Sequence, residues 1–255
     1  MTYKQNKKLN KFNIPNNAIN IYGIHPAKSA LLSSNRNCYL IVTTEKKFDY
    51  WNNFLRDNKI NTKIVLLETF EMDKISNSNN HQGVIVFASK IIKKKLSKYL
   101  KDLSFKKNKI LILDQLTDPQ NVGSIIRSAF AFNFDAVCLL KNNSPIETPS
   151  LIKASAGEIE KIQILEIGNL VQEIKILKKQ NFFIYGLDGE GKIKIQEIDK
   201  TDDRIALIIG AEGKGLRNLT KQNADRLVRI DINPKCNSLN AANAATVAMY
   251  ETSKN

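Results

Sequence analysis

KILILDQLTDPQNVGSIIRSAFAFNFDAVCLL, residues 109–140, reads as a strand, a helix and a second strand. KILILDQL and DAVCLL are apolar on both faces, the mark of strands covered on both sides of a parallel sheet. Between them NVGSIIRSAFAF has helical spacing, with Ile125, Ile126, Ala129 and Phe130 as its packing face. The rhythm continues downstream. SLIKASAGEI (150–159) predicts a short helix, NLVQEIKILKKQ (169–180) a longer one, and NFFIYGLDG (181–189) a strand leaving into a loop. DRIALIIGAEGKGL (203–216) is a strand entering a Gly-rich turn, RLVRIDI (226–232) another strand ended by Pro234, and SLNAANAATVAMYE (238–251) an Ala-rich helix. Strands alternating with helices give an α/β domain with a mainly parallel sheet over residues 108–255.

Upstream, residues 18–90 form a smaller α/β domain, with CYLIVTT (38–44), TKIVLL (62–67) and HQGVIVFA (81–88) as strands and FDYWNNFLRD (48–57) as a helix. The stretch KIIKKKLSKYLKDLSFKKNK spans a basic linker, 91–107, in which Leu96, Leu100 and Leu103 can share one helix stripe. Residues 1–17, rich in Lys and Asn, read as a disordered tail, with a basic targeting segment as the alternative. The tail has no apolar core of a secretory signal, and no apolar run reaches the roughly 18–20 residues of a membrane span. Three scattered cysteines, Cys38, Cys138 and Cys236, match no zinc spacing and suit a reduced, cytoplasmic setting.

The formal net charge is +14. Residues 1–107 hold 20 Lys and Arg against 7 Asp and Glu, whereas residues 108–255 hold 19 against 18. A nucleic-acid partner for the first part of the chain is the natural reading, with Lys93, Lys94 and Lys95 as candidate phosphate contacts or simply a solvated helix face.

Three segments of the second domain carry chemistry. In DQLTDPQNVGSIIRSA, Asn121 is placed to cap the helix, Gly123 permits close approach in its opening turn, and Arg127 does no evident core work. In IIGAEGKGL (208–216), Gly210, Gly213 and Gly215 leave backbone groups free for a ligand. The spacing fits neither the dinucleotide nor the P-loop fingerprint, and Glu212 argues against a phosphate cradle. In IDINPKCNSLNAANAA, Asn237 and Ser238 are candidate caps and Asn240 falls in the first turn of the last helix. His25 and His81 lie outside these segments and read as structural or RNA-facing.

Together the three segments resemble, in order and spacing, the signature motifs of the SpoU/TrmH (SPOUT) RNA 2′-O-ribose methyltransferases: N-x-G-x-x-x-R at Asn121, Gly123 and Arg127, I-G-A-E-G-x-G-L at 209–216, and N-S-L-N at 237–240. IYGIHPAKSALL (21–32) and HQGVIVF (81–87) resemble the N-terminal domain of the family's bacterial 23S rRNA guanosine-2′-O-methyltransferases, a domain similar to ribosomal protein L30e. The resemblance implies a trefoil-knotted catalytic domain, which general topology rules would not suggest. It implies S-adenosyl-L-methionine held around Gly210, Ile230 and Leu239, with the loop at Leu187 closing over it. It implies Arg127, Asn121, Glu212 and Asn240 as catalytic residues, a homodimer, no metal, and 23S ribosomal RNA as substrate. Methylation of tRNA is the alternative, as is an RNA-binding or ribosome-assembly protein without catalysis.

Overall fold

The computed structural model describes residues 8–103, 107–141, 144, 145, 147–199, 202–211 and 213–254. They form two compact units, one of Met1–Ile92 with Glu147–Lys161, the other of Lys93–Ile146 with Ile162–Asn255.

The first unit runs β1 (Ile19–Tyr22), α1 (Ile24–Leu32), β2 (Cys38–Thr43), α2 (Phe48–Asp57), β3 (Lys63–Leu66), α3 (Thr69–Ser76) and β4 (Val84–Ala88). Its sheet has the order β1-β4-β2-β3, with β4 antiparallel to both neighbours and β2 parallel to β3. One core joins Leu40, Val42, Ile85 and Phe87 of the sheet to Met72 and Ile75 of α3. Leu9 and Ile14 are buried in that same core, with Phe12 packed against it. The expected tail is thus ordered from about Leu9. Three apolar side chains set among Lys and Asn suffice, although they do not lift the mean hydropathy of the segment. His81 is buried; its Nδ1 accepts from Gly83 N (3.0 Å), so the proton sits on Nε2 and is donated to Asp73 (3.1 Å). Of the two readings of His81, the structural one holds.

The second unit opens with β5 (Lys94–Lys95) and α4 (Leu96–Lys101), then β6 (Asn108–Leu113), α5 (Pro119–Ala131) and β7 (Ala136–Leu140). After α6 (Pro149–Ala154), which belongs to the first unit, come β8 (Gln163–Ile167), α7 (Leu170–Lys179), β9 (Phe183–Leu187), β10 (Ile193–Lys194), β11 (Arg204–Ile209), α8 (Asn218–Asn223), β12 (Arg226–Arg229) and α9 (Ala241–Ser253). Among the described residues the sheet is parallel throughout, in the order β10-β12-β9-β11-β6-β7-β8-β5. Ile110, Ile112, Cys138, Leu165, Ile184 and Ile208 face α4 and α7. The alternate residues Leu111, Leu113, Val137, Leu139 and Leu207 are equally buried, which is why these strands carry no polar alternation. Burial pushes the Cys138 thiol above its ordinary range and that of Cys38 up to about 11, so neither is a reactive thiolate.

Two expectations change here. The linker is part of the second unit: β5 pairs with β8, and Leu96 and Leu100 enter the core with Leu103 against it. Phe130 does not serve the packing face of α5 but is 37% exposed.

The excursion Glu147–Lys161 is bound into the first unit by a buried ion cluster. Arg36 donates through Nε to Glu160 (2.6 Å), through Nη1 to Ser89 O (2.6 Å) and through Nη2 to Glu147, whose other oxygen accepts from Ile91 N (2.8 Å). Even beside Arg36, burial holds the Glu160 carboxyl above its usual range. Gly157 (φ +86°) turns the segment against α1, where a Cβ would lie 2.6 Å from Ser29 Oγ and 3.0 Å from Pro26 Cα. A chain cut near Asn108 leaves Leu151, Ile152, Ile159 and two glutamates without their surroundings. Removing the cation strands two buried carboxylates, so Arg36→Met is expected to destabilise the protein by about 3–5 kcal/mol. Adding Glu147→Gln and Glu160→Gln should recover part of that loss. Urea melts of the three proteins test this, and an Arg36→Met variant as stable as the parent refutes it.

Candidate active site

The register of the second sheet decides which loops meet. β6 and β11 pair from Asn108↔Arg204 to Leu113↔Ile209, so Asp114 and Gly210 leave adjacent strand ends, joined by Asp114 N to Ile209 O at 2.8 Å. Chain order reverses at this pair, with β7 and β8 on one side and β9 and β12 on the other. Open parallel sheets bind ligands outside the carboxyl ends of their strands at such a reversal.

A cavity lies there. Leu187, Asp188 and Gly189 line it after β9; Gly210, Ala211, Gly213 and Gly215 after β11; Ile230 and Ile232 after β12; and Asn237, Ser238 and Leu239 before α9. The four residues expected around a cofactor, Leu187, Gly210, Ile230 and Leu239, therefore share one cavity. Its glycine loop folds tightly on itself: a Cβ on Gly210 would lie 2.3 Å from Gly215 C, and Gly215 N donates to Ala211 O (2.9 Å). Among the described residues, the peptide groups of Ile230, Ile232 and Leu239 are not hydrogen-bonded to one another or to the rest of the chain. The cavity thus combines apolar walls with unused backbone donors and acceptors. On its rim Asp188 is fixed by Lys221 Nζ (2.8 Å), and the bond holds the ammonium above its usual range.

Beside the cavity two helices begin together. Asp118, not Asn121, caps α5, its carboxylate accepting from Gln120 N (3.4 Å) and Asn121 N (2.9 Å), with Pro119 in the first turn. That leaves the Asn121 side chain to accept from Asn240 Nδ2 (3.1 Å). Asn240, rather than Asn237 or Ser238, caps α9 through Oδ1, which accepts from Ala242 N (2.9 Å) and Asn243 N (3.3 Å). Higher up, Ser128 and Thr246 hydroxyls meet at 2.9 Å and the rings of Phe132 and Tyr250 at 5.7 Å. The contacts climb both helices in step, so α5 and α9 run parallel and their positive ends coincide. Arg127 is exposed on α5, and helical side chains lean toward the N-terminus, here over the turn of Gly123 and Ser124. Among the described residues no side-chain hydrogen bond or ion pair holds its guanidinium. Glu212 lies outside the described residues.

Lys93, Lys94 and Lys95 are not brought to this site. Lys94 and Lys95 form the edge strand β5, separated from β6 by β7 and β8.

Asp114 is a residue that sequence reasoning missed. It is buried at the end of β6, where its carboxylate forms an ion pair with Arg217 Nη2 (2.7 Å) and accepts from Arg217 Nε (3.2 Å) and Thr220 Oγ1 (2.9 Å). One carboxylate thus ties the loop entering α5 to the far end of the glycine loop. Its signal was an acid closing the apolar run KILIL.

The model of the SpoU rRNA Methylase family matches residues 108–250, and that for RNA 2′-O ribose methyltransferase substrate binding matches residues 20–91. The 23S rRNA (guanosine-2′-O-)-methyltransferase RlmB of Coxiella burnetii is 32% identical over 238 residues, 92% of this chain and 94% of that protein. The SpoU methyltransferase AviRb of Streptomyces viridochromogenes, solved with AdoMet, superposes with a TM-score of 0.78 at 20% identity over 98% of this chain and 94% of its own. A protein solved for 2-OH methylation of C/U34 on tRNA gives a TM-score of 0.52 at 22% identity, over 58% of this chain and 95% of its own. With both parts of the architecture matched, the second and third motifs lining one cavity and the first bonded to the third through Asn121 and Asn240, the chain belongs to the SpoU rRNA methylase family.

Proposed function

We propose that this enzyme transfers a methyl group from S-adenosyl-L-methionine to the 2′-hydroxyl of a guanosine ribose in 23S ribosomal RNA. The observation that carries the reading is the Asn121–Asn240 bond, which joins the first motif to the third beside the cavity that the second and third line. The cavity fits the cofactor by its chemistry: apolar walls from Leu187, Ile230, Ile232 and Leu239 suit the faces of an adenine, and unused peptide groups suit its edge. When bound, S-adenosylmethionine supplies an electrophilic methyl. The protein aligns the ribose hydroxyl with it, an effect worth on the order of 7–11 kcal/mol in well-oriented pairs. Arg127 is no base, because a guanidinium keeps its proton at neutral pH. It holds an RNA phosphate near the coincident helix ends and orients the hydroxyl, whose proton leaves to phosphate or water. Asn121 and Asn240 keep the two helix ends in register, and Glu212 is assigned to the ribose or to Arg127.

The large-subunit substrate is favoured over tRNA by extent. The RlmB relative aligns along both units, whereas the tRNA-related fold has a counterpart for little more than half of the chain. The homodimer is proposed on the face of α5 and α9, where Phe130, Val247 and Tyr250 are 37%, 37% and 48% exposed. A monomer by light scattering at micromolar concentration speaks against it.

Mapping 2′-O-methylation on RNA from a strain lacking the protein tests the function. One guanosine of 23S RNA should lose its methyl and regain it with purified enzyme and cofactor; an unchanged 23S map, or a lost tRNA methyl, overturns the reading. Arg127→Ala should abolish turnover while cofactor affinity by calorimetry stays within about twofold, and Arg127→Lys should recover little if a bidentate phosphate contact is needed. Near-normal turnover of the Lys variant counts against the clamp. Asp114→Asn keeps an acceptor for Thr220 but loses the charge that holds Arg217. It should weaken cofactor binding about tenfold with RNA affinity unchanged. Equal losses of both would mean that Asp114 serves only the fold.

A further inference from the structure

We propose that Lys28 of α1 and Tyr50 of α2 form an RNA contact of the first unit, taking one unpaired nucleotide with its base on the tyrosine ring and its phosphate on the lysine. The inference rests on the reading of the chain as an RNA methyltransferase and places a contact that the active site does not supply.

Tyr50 is 45% exposed, although it belongs to the helix whose Trp51 is fully buried. The Tyr50 and Trp51 rings stand nearly perpendicular, with centroids 5.3 Å apart. Lys28 Nζ lies 5.1 Å from the Tyr50 centroid and 5.4 Å from that of Phe54, one turn further along α2. Two rings thus hold the ammonium in place. Among the described residues no carboxylate pairs with it, so its charge is available to an anion.

Lys28 also borders a cavity between α1 and the excursion, lined by His25, Ser29, Ser33 and Lys161 together with Glu158 and Glu160. Both acids are already matched, Glu158 with Lys161 (2.9 Å) and Glu160 with Arg36 (2.6 Å). What remains toward a ligand is a half-buried ammonium, an imidazole and the Ser29 hydroxyl beside an exposed ring. Unpaired RNA offers those complements together: a base with a π-face and a phosphate joined to it through one ribose. Phe70 on α3 provides an internal control. It is 59% exposed and has Lys74 at 5.4 Å, but neither residue lines the cavity that Lys28 borders.

The test is binding of the full-length protein to a fluorescent 23S RNA fragment containing an unpaired loop, across a salt series. Tyr50→Ala should weaken binding roughly 5- to 100-fold without changing the salt slope, because stacking releases no counterion, and Tyr50→Phe should bind as the parent does. Lys28→Ala should reduce the slope of log K against log salt by roughly 0.7–1. Phe70→Ala should change neither. Cofactor binding should be unaltered in all four, and a urea melt of each variant should match the parent's. Parental affinity in both Tyr50→Ala and Lys28→Ala, or an equal loss in Phe70→Ala, overturns the proposal. A parent protein that binds neither cofactor nor RNA overturns the methyltransferase reading instead.

Discussion

The pairing of β6 with β11 is the constraint on which the site depends. The two strands are separated by about ninety residues of chain, yet their parallel register brings Asp114 and Gly210 out side by side. A slip of one residue would turn Ile110, Ile112, Ala206 and Ile208 away from α4 and α7 and put the alternate set in their place. Both faces are buried, so packing of unequal shapes, rather than polarity, holds the register. The Asp114 carboxylate adds a directional term at the open end, where Arg217 and Thr220 converge on it.

From that pair the chemistry follows by helix placement. α5 leaves the end of β6 and α9 returns beside it, and their starts are stitched by two asparagines with different duties. Asn240 spends its oxygen on the helix cap and its amide on Asn121. Asn121 spends its oxygen on Asn240 because Asp118 has taken the cap. Exchanging these duties would leave either a helix end uncapped or the two motifs unlinked. The site is therefore built from side chains that satisfy backbone groups first, with Arg127 exposed beside them on α5.

The parallel strands and the catalytic segments were legible because their signals are local. KILIL, AVCLL and RIALII each announce a doubly covered strand, and the glycine spacing of 210–215 announces a tight loop. The four residues that the family resemblance placed around the cofactor share one cavity. Capping was misread by a few positions at both helices, since several residues able to cap lie close together and only the backbone path selects among them. Asp114 was missed because its partners lie more than a hundred positions away. The short strands β5 and β10 carry too few residues to show any period.

The largest correction concerns charge, and it follows from where the chain crosses between units. Counted along the sequence, positive charge seems confined to the first 107 residues. Counted by compact unit, the first holds 15 Lys and Arg against 9 Asp and Glu, and the second 24 against 16. The difference comes from the lysines of residues 93–107, which belong to the second unit through β5 and α4, and from the excursion, which brings three glutamates to the first. An RNA-binding surface drawn from the sequence count would sit on one unit alone. The unit count puts attraction for phosphate on both, with the lysines of β5 on the edge of the very sheet that carries the active site. Capture and chemistry are then not divided between the two parts of the chain. On the contact proposed for Lys28 and Tyr50, the first unit adds recognition, while the charge count gives the second unit a long-range electrostatic pull of its own.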